Sequence, residues 1–322
     1  MKVVRVTRYG GPEVLKVEDA EVPRPGPGQA LIRVEAVGLN FIEIYQRTGL
    51  YKVPLPFTAG SEAAGSVEAV GPGVTTVRPD DRVVSSNILG AYAEYALAQA
   101  DRLVPLPDNV TTRQAAAVML QGTTAQYLTT STFPLRAGQT CLVHAAAGGV
   151  GLLLCQMAAR IGARVIGTVS TEEKAALARA AGAQDVILYT TSDFESEVKR
   201  LTDGAGVHVV YDSVGRTTFA KSLNCLVPRG MIVLFGQSSG PVEPFELQTL
   251  AQKGSLFLTR PTIGHYTATR AELLERAGQV LGSVASGALA VRIGREFPLA
   301  QAGQAQQELE GRRTTGKVLL IP

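Results

Sequence analysis

The stretch AAGGVG (146–151) stands between an apolar run, CLVHA (141–145), and a helix-like segment, GVGLLLCQMAARIGA. It fits a GxGxxG phosphate turn at Gly148 and Gly151, with Ala146 in the first glycine's place. Gly148 lets backbone approach a pyrophosphate, and Gly151 lets the helix lie against the strand. The helix start then offers unpaired N–H groups and partial positive charge to phosphates. A glycine-bearing turn that binds nothing is the plain alternative, but a strand before and a helix after are the context a dinucleotide site requires.

Which dinucleotide is set about 20 residues on, where an NAD site carries Asp or Glu for the ribose hydroxyls. Here that place reads GTVST (167–171), without a carboxylate. Ser170 and Thr171 can hydrogen-bond a 2′-phosphate and Lys174 can pair with it. Glu172 and Glu173 complicate the picture. At a helix start, where negative charge is locally favourable, they are expected to point outward. The combination favours NADPH over NADH.

Three regions position these groups. Residues 1–122 hold short β-like runs, such as VVRVTRY, ALIRVEAVGLN and DRVVSSN, broken by PRPGPG (23–28) and GPG (71–73). Short strands with Gly/Pro turns predict a small barrel-like β domain. Residues 123–265 alternate strand and helix. Six apolar runs of parallel-strand type (CLVHA, RVIGTVS, DVILY, VHVVYDS, MIVLFGQ and LFLTRP) predict an α/β, doubly wound sheet. Gly162, Gly182 and Gly204 each end a helical stretch. Residues 266–322 carry a helix, RAELLERAGQVLGSVASG, and a closing strand, KVLLIP, able to return and complete the first domain.

Composition excludes several classes. The 31 Lys+Arg and 28 Asp+Glu leave a net charge of +3 with no basic run, so nucleic acid is not an expected partner. No apolar run approaches the roughly 20 residues of a membrane helix. The start, MKVVRVTRYG, is charged and strand-like rather than a signal peptide, which leads to the expectation of a cytoplasmic protein. Cys141, Cys155 and Cys225 are far apart and outside any CxxC pair, as small buried apolar residues would be. His144, His208 and His265 show no metal-ligand spacing, and His144 is expected to be structural.

Taken together, AGSEAAG, HAAAGGVG, VVYDSVG, LTRP and GLNFIEIYQRTGLY resemble the medium-chain dehydrogenase/reductase superfamily. Within it they are similar to the zinc-free, NADPH-dependent quinone oxidoreductases related to zeta-crystallin. The resemblance runs from the first strand to LLIP. It implies a GroES-like β domain, a Rossmann domain, a cofactor cleft between them and a homodimer built partly by Rossmann edge strands. Zinc relatives take ligands from a cysteine near the position of Asn40, from the histidine of a GHEAAG segment, and from a third residue before the Rossmann domain. Here the histidine's place is Ser61, and VMLQGTT (118–124) offers neither Cys nor His. Zn²⁺ needs tetrahedral N, S or O ligands, and Glu62 alone cannot hold it. No metal is therefore expected, and Glu62 is expected to pair with a base or backbone.

Without a strong Lewis acid, hydride must go to an acceptor already eager for it: a quinone, or an α,β-unsaturated carbonyl. The site wall implied is 38–51. Asn40 can bond a ribose hydroxyl or a carbonyl oxygen, and Tyr45 and Tyr51 can donate to a quinone oxygen, although tyrosines among apolar residues also serve as packing. By resemblance, Phe41 and Ile42 flank the nicotinamide, while Thr124 and Tyr127 begin the linking helix. Gly149 and Val150 sit on the pyrophosphate and Tyr189 near the 2′-phosphate. Val214, Phe235 and Ser238 close over ribose and nicotinamide, Arg260 and Pro261 line the nicotinamide end, and Arg312 reaches in from the tail. Relatives often have Asp where Glu43 stands. The expected activity is NADPH-dependent quinone reduction. The alternatives are an alkenal or enone reductase, and an NADPH-binding protein with little turnover.

Overall fold

The structure, a computed structural model, describes residues Met1–Pro322. The chain opens with β1 (Lys2–Val6), β2 (Leu15–Asp19), β3 (Gln29–Leu39), α1 (Phe41–Arg47), β4 (Phe57–Thr58), β5 (Ala63–Val70), β6 (Arg82–Ser85), β7 (Tyr95–Gln99) and β8 (Val104–Pro105). Helix α2 (Thr112–Tyr127) leads to β9 (Thr140–Val143), α3 (Gly149–Ile161), β10 (Arg164–Val169), α4 (Glu172–Ala180), β11 (Asp185–Leu188), α5 (Phe194–Leu201), β12 (Val207–Asp212), α6 (Phe219–Asn224) and β13 (Leu226–Leu234). Then come α7 (Gln248–Gln252), β14 (Phe257–Thr259), α8 (Ile263–Tyr266), α9 (Arg270–Ala285), β15 (Ile293–Pro298), α10 (Ala302–Glu310) and β16 (Lys317–Ile321). The chain forms two compact units, one of Met1–Thr123 with Thr267–Pro322, the other of Thr124–Tyr266.

In the first unit a sheet runs β15-β16-β3-β5-β6-β8, with β7 also on β3, and β2-β1-β4 make a second. The alternation of the strands turns Val4, Val6, Ile32, Val34, Val67 and Val83 into one core, which Phe297, Val318 and Leu320 join from the end of the chain. The returning strand β16 pairs antiparallel with β3, placing Val318 opposite Leu39. This pairing brings Lys317 beside residues 38–40, which are very distant in sequence.

In the second unit six strands lie in the order β11-β10-β9-β12-β13-β14. Every pairing is parallel. The doubly wound sheet predicted from the apolar runs is thus present. A sheet covered on both faces needs near-continuous apolar strands, and β9, β10 and β12 supply them. The MIVLFGQ strand starts earlier than its apolar run, at Leu226. Its first residues pair only loosely, with a register shift against β12 between Val207 and Val209. All three cysteines are free and buried, as expected, and burial pushes the Cys155 thiol up to about 12.

Candidate active site

In the second unit the carboxyl ends of the parallel strands all fall on one edge of the sheet, the edge where such folds bind ligands. After β9 the chain turns through His144 and Ala145, whose φ of 52° is left-handed, and Gly148 caps α3 in extended conformation. The Gly148 N–H donates to the Ala145 carbonyl at 2.8 Å. A Cβ at Gly151 would lie 2.3 Å from the Ala145 oxygen and 2.8 Å from the Ala146 Cα, so only glycine allows this helix so close to its strand. Gly149 and Val150 form the first turn of the 13-residue α3. This cradle fits a pyrophosphate. Below it, His144 is wedged between the Thr168 and Ser222 hydroxyls, each at 2.9 Å, with its ring edge-on to Phe194. Burial lowers its pKa, and the neutral ring serves as a strut.

At the end of β10, Ser170 is half-buried and Thr171 caps α4, its hydroxyl accepting the Lys174 N–H at 3.3 Å. Tyr189 follows β11 and donates its N–H to the Val169 carbonyl, while the Thr190 hydroxyl donates to the Ser170 carbonyl. Ser170, Thr171, Lys174 and Tyr189 thus belong to one corner, without an acid on the strand. Glu172 turns toward Arg179 along the helix, at 3.8 Å.

Beyond β12 and β13 two loops are stapled together by a residue sequence reasoning passed over. Buried Asp212 accepts the N–H groups of Val214 and Gly215 and the Thr218 hydroxyl. Its backbone accepts the Phe235 N–H, and the Ser238 N–H donates to Ser213. Arg260 donates to the Leu234 carbonyl at 3.0 Å, and Pro261 follows it. Thr124 and Tyr127 are buried, and the Tyr127 ring stacks on Tyr266 at 4.1 Å. The only hint of Asp212 in the sequence was an acid ending an apolar strand.

The first unit holds a polar cluster inside an apolar domain. Asn40 precedes α1, and the Glu43 carboxylate accepts its backbone N–H at 2.8 Å. The Asn40 amide donates to the Gly38 carbonyl at 3.0 Å and to Glu62 at 2.9 Å. At the centre, the Lys317 ammonium donates to Glu62 Oε2 at 2.6 Å and to Asn40 Oδ1 at 2.7 Å. Glu62 also accepts the Leu120 N–H of α2 at 2.6 Å. Gln121 reaches Asn40 Oδ1 at 3.4 Å. Gly38 makes room for this cluster, since a Cβ there would stand 2.3 Å from the Glu62 carboxylate. Ser61 donates to Glu43 at 2.5 Å. Burial, opposed by Ser61 and Lys317, raises the Glu43 carboxyl to about 7. Glu62 finds the base expected for it, but that base and the role of Glu43 had no local signal in the sequence.

Of the other predicted residues in this unit, Tyr45 is buried and meets Tyr51 edge-on at 5.2 Å. Tyr51 is exposed, while Phe41 and Ile42 are half-buried. Arg312 follows α10, exposed, with a φ of 56°.

A GroES-like β unit and a doubly wound nucleotide unit with a glycine cradle define a medium-chain dehydrogenase/reductase. Comparison with known proteins agrees. The alcohol dehydrogenase GroES-like domain family matches residues 26–108, and the zinc-binding dehydrogenase family matches 149–277. A quinone oxidoreductase of Pseudomonas aeruginosa is 49% identical over 100% of this chain and 99% of its own. A 2-haloacrylate reductase of a Burkholderia species is 42% identical over 98% of each. The crystal structure of Escherichia coli quinone oxidoreductase complexed with NADPH superposes with a TM-score of 0.98 at 43% identity, covering both chains fully. The chain belongs to the quinone oxidoreductase family of the medium-chain dehydrogenases/reductases.

The zinc that one family name implies does not fit the residues present. The two positions named for zinc ligands hold an amide, Asn40, and a hydroxyl, Ser61, and the carboxylate bonded to that amide is already paired with a lysine. No group of three or more His, Cys, Asp or Glu is placed to hold a metal. A fixed ammonium would repel a divalent cation at that point.

Proposed function

We propose that this chain reduces quinones with NADPH and without a metal. The carrying observation is the buried Lys317–Glu62 pair, bonded to Asn40 at one of the positions from which zinc relatives take a ligand. With no site for a Lewis acid, the acceptor must be intrinsically electrophilic, and a quinone is. The relatives named as quinone oxidoreductases support this reading.

Gly148, Gly149, Val150 and Gly151 are assigned to the pyrophosphate, and Ser170, Thr171, Lys174 and Tyr189 to the adenosine 2′-phosphate. Val214, Phe235, Ser238, Arg260 and Pro261 are assigned to the ribose and nicotinamide. Phe41, Ile42, Thr124, Tyr127 and Arg312 remain assigned to the cofactor by family likeness. When bound, NADPH supplies the hydride. The protein's task is to hold acceptor and donor together and exclude water. Tyr51, the exposed member of its pair, is assigned to the acceptor, with Tyr45 packed behind it. Asn40 is assigned a positioning role, because its amide is committed to Glu62, Gly38 and Lys317.

A second reading, reduction of an α,β-unsaturated substrate, is favoured by the likeness to 2-haloacrylate reductase. We also infer a cytoplasmic homodimer. No helix is long and apolar enough to cross a membrane. Strand β14 is a sheet edge bearing Phe257 at 56% exposure, and Leu247, just before α7, is 73% exposed. An open edge with bare apolar side chains suits pairing with a second copy. The deciding experiment follows NADPH and NADH oxidation with a small para-quinone after dialysis against a chelator. Fast, chelator-insensitive NADPH loss is expected. Activity on enones alone selects the second reading, and loss of activity on chelation refutes the metal-free one.

A further inference from the structure

A quinone that has accepted a hydride is left as a hydroquinone monoanion. It lacks one proton on its oxygen. The polar cluster of the first unit holds a buried carboxyl with an outlet. Glu43 lies on α1 and is buried. One of its oxygens accepts the Asn40 N–H and the other meets the Ser61 hydroxyl at 2.5 Å. Of these two partners, only Ser61 keeps partial solvent exposure.

We propose that Ser61 is the proton donor to the reduced acceptor and that Glu43 stands behind it as the proton store. This rests on the quinone-reductase reading. A hydroxyl between two groups carries only one proton of its own. When Glu43 is ionised, the Ser61 proton must point inward to the carboxylate, as drawn in the 2.5 Å bond, and nothing is offered outward. When Glu43 is protonated, its own O–H donates to Ser61 Oγ and the Ser61 proton is free to point out. The step balances. The Ser61 O–H bond breaks as the proton goes to the hydroquinone oxyanion. The Glu43 carboxyl proton passes to Ser61 Oγ, restoring the hydroxyl. Glu43 is left a carboxylate, and water returns its proton between turnovers. The acceptor has then gained one hydride and one proton. Ser61 is the catalytic residue, and Glu43 acts through it.

The surroundings suit such a store. Desolvation favours the neutral acid, and Glu62 adds to this by like charge; the Lys317 ammonium on β16, the Ser61 hydroxyl and the Asn40 N–H act against it. The Tyr92 phenol, itself raised by burial and near both Glu43 and Arg47, stays neutral. Glu62 is unsuited to the part, because Lys317, Asn40 and Leu120 occupy its oxygens.

The test is single-turnover reduction of a small para-quinone by NADPH-loaded enzyme across neutral pH, for wild type, Ser61→Ala, Ser61→Thr and Glu43→Gln. The active form carries the proton, so the wild-type rate is expected to be high below about 7 and to fall as the pH rises through it. Ser61→Ala is expected to be about 100-fold slower and flat with pH, the low end for a lost general acid because water can substitute. Ser61→Thr keeps a hydroxyl and restores both rate and profile. Glu43→Gln is expected to be slowed and flat with pH. As a readout independent of turnover, the ligand-free protein should show the infrared carbonyl stretch of a protonated carboxyl, lost as pH rises and missing in Glu43→Gln. Ser61→Ala with wild-type rate and pH profile would overturn the relay alone, as would an infrared band unchanged by Glu43→Gln. A wild type that leaves NADPH unoxidised when a quinone is supplied sinks the activity and the relay together.

Discussion

Replacing Lys317 by Met removes one buried charge and strands another. Lys317 is 1% exposed in its side chain and Glu62 0%. Breaking a buried pair in this way costs roughly 3–5 kcal/mol, because the remaining charge stays desolvated. Glu62 keeps two of its partners, the Asn40 amide and the Leu120 N–H, which places the expected loss near 3 kcal/mol. For a unit of this size that corresponds to a fall in Tm of about 6–12 °C. The double variant Lys317→Met/Glu62→Gln is expected to recover most of the loss, since a neutral amide can still accept the Leu120 N–H. Thermal and urea unfolding of wild type, both single variants and the double form a cycle that isolates the pair. A Lys317→Met protein as stable as wild type, or a double variant no better than the single, would refute the account of an ammonium seated on Glu62.

Three further outcomes are expected. Lys174→Ala should weaken NADPH about 10- to 100-fold, the worth of one charge-assisted phosphate contact, and leave NADH unchanged in a fluorescence titration; equal loss for both would remove Lys174 from the 2′-phosphate. Gly151→Ala forces a Cβ to within 2.3 Å of the Ala145 carbonyl, so it should destabilise the protein by about 1–3 kcal/mol and abolish NADPH retention, both visible by calorimetry. Neutral, buried His144 has its pKa lowered from 6.5, so its contribution to stability is full above that value and shrinks as the pH falls below it. The stability gap between wild type and His144→Asn should narrow from about pH 7.5 to about pH 5, and a constant gap would show that the ring is not held neutral.

The nucleotide unit was legible because its signals are local. Apolar runs, a glycine at each turn and Gly148 with Gly151 between strand and helix all act within a few residues of themselves, through backbone geometry and periodicity. So was the loss of a ligand histidine, since Ser61 stands in its place within its own motif. Asp212 was partly hidden: its place at a strand end was visible, but the two loops it joins meet only once β12 and β13 pair. The central cluster was beyond reach. Asn40 promised a contact with ligand by its residue type, yet its amide is taken up by Glu62 and by Lys317, which lies 277 residues away. That meeting exists because β16 closes against β3, and strand order and register follow from the sum of many long-range contacts rather than from any short segment. Residue types therefore determined the kind of chemistry open to this chain, a hydride transfer from a nicotinamide cofactor. Only the tertiary structure decided which side chains are buried together, and burial, against the opposing pull of Lys317, is what raises the carboxyl of an ordinary glutamate, Glu43, within reach of a serine.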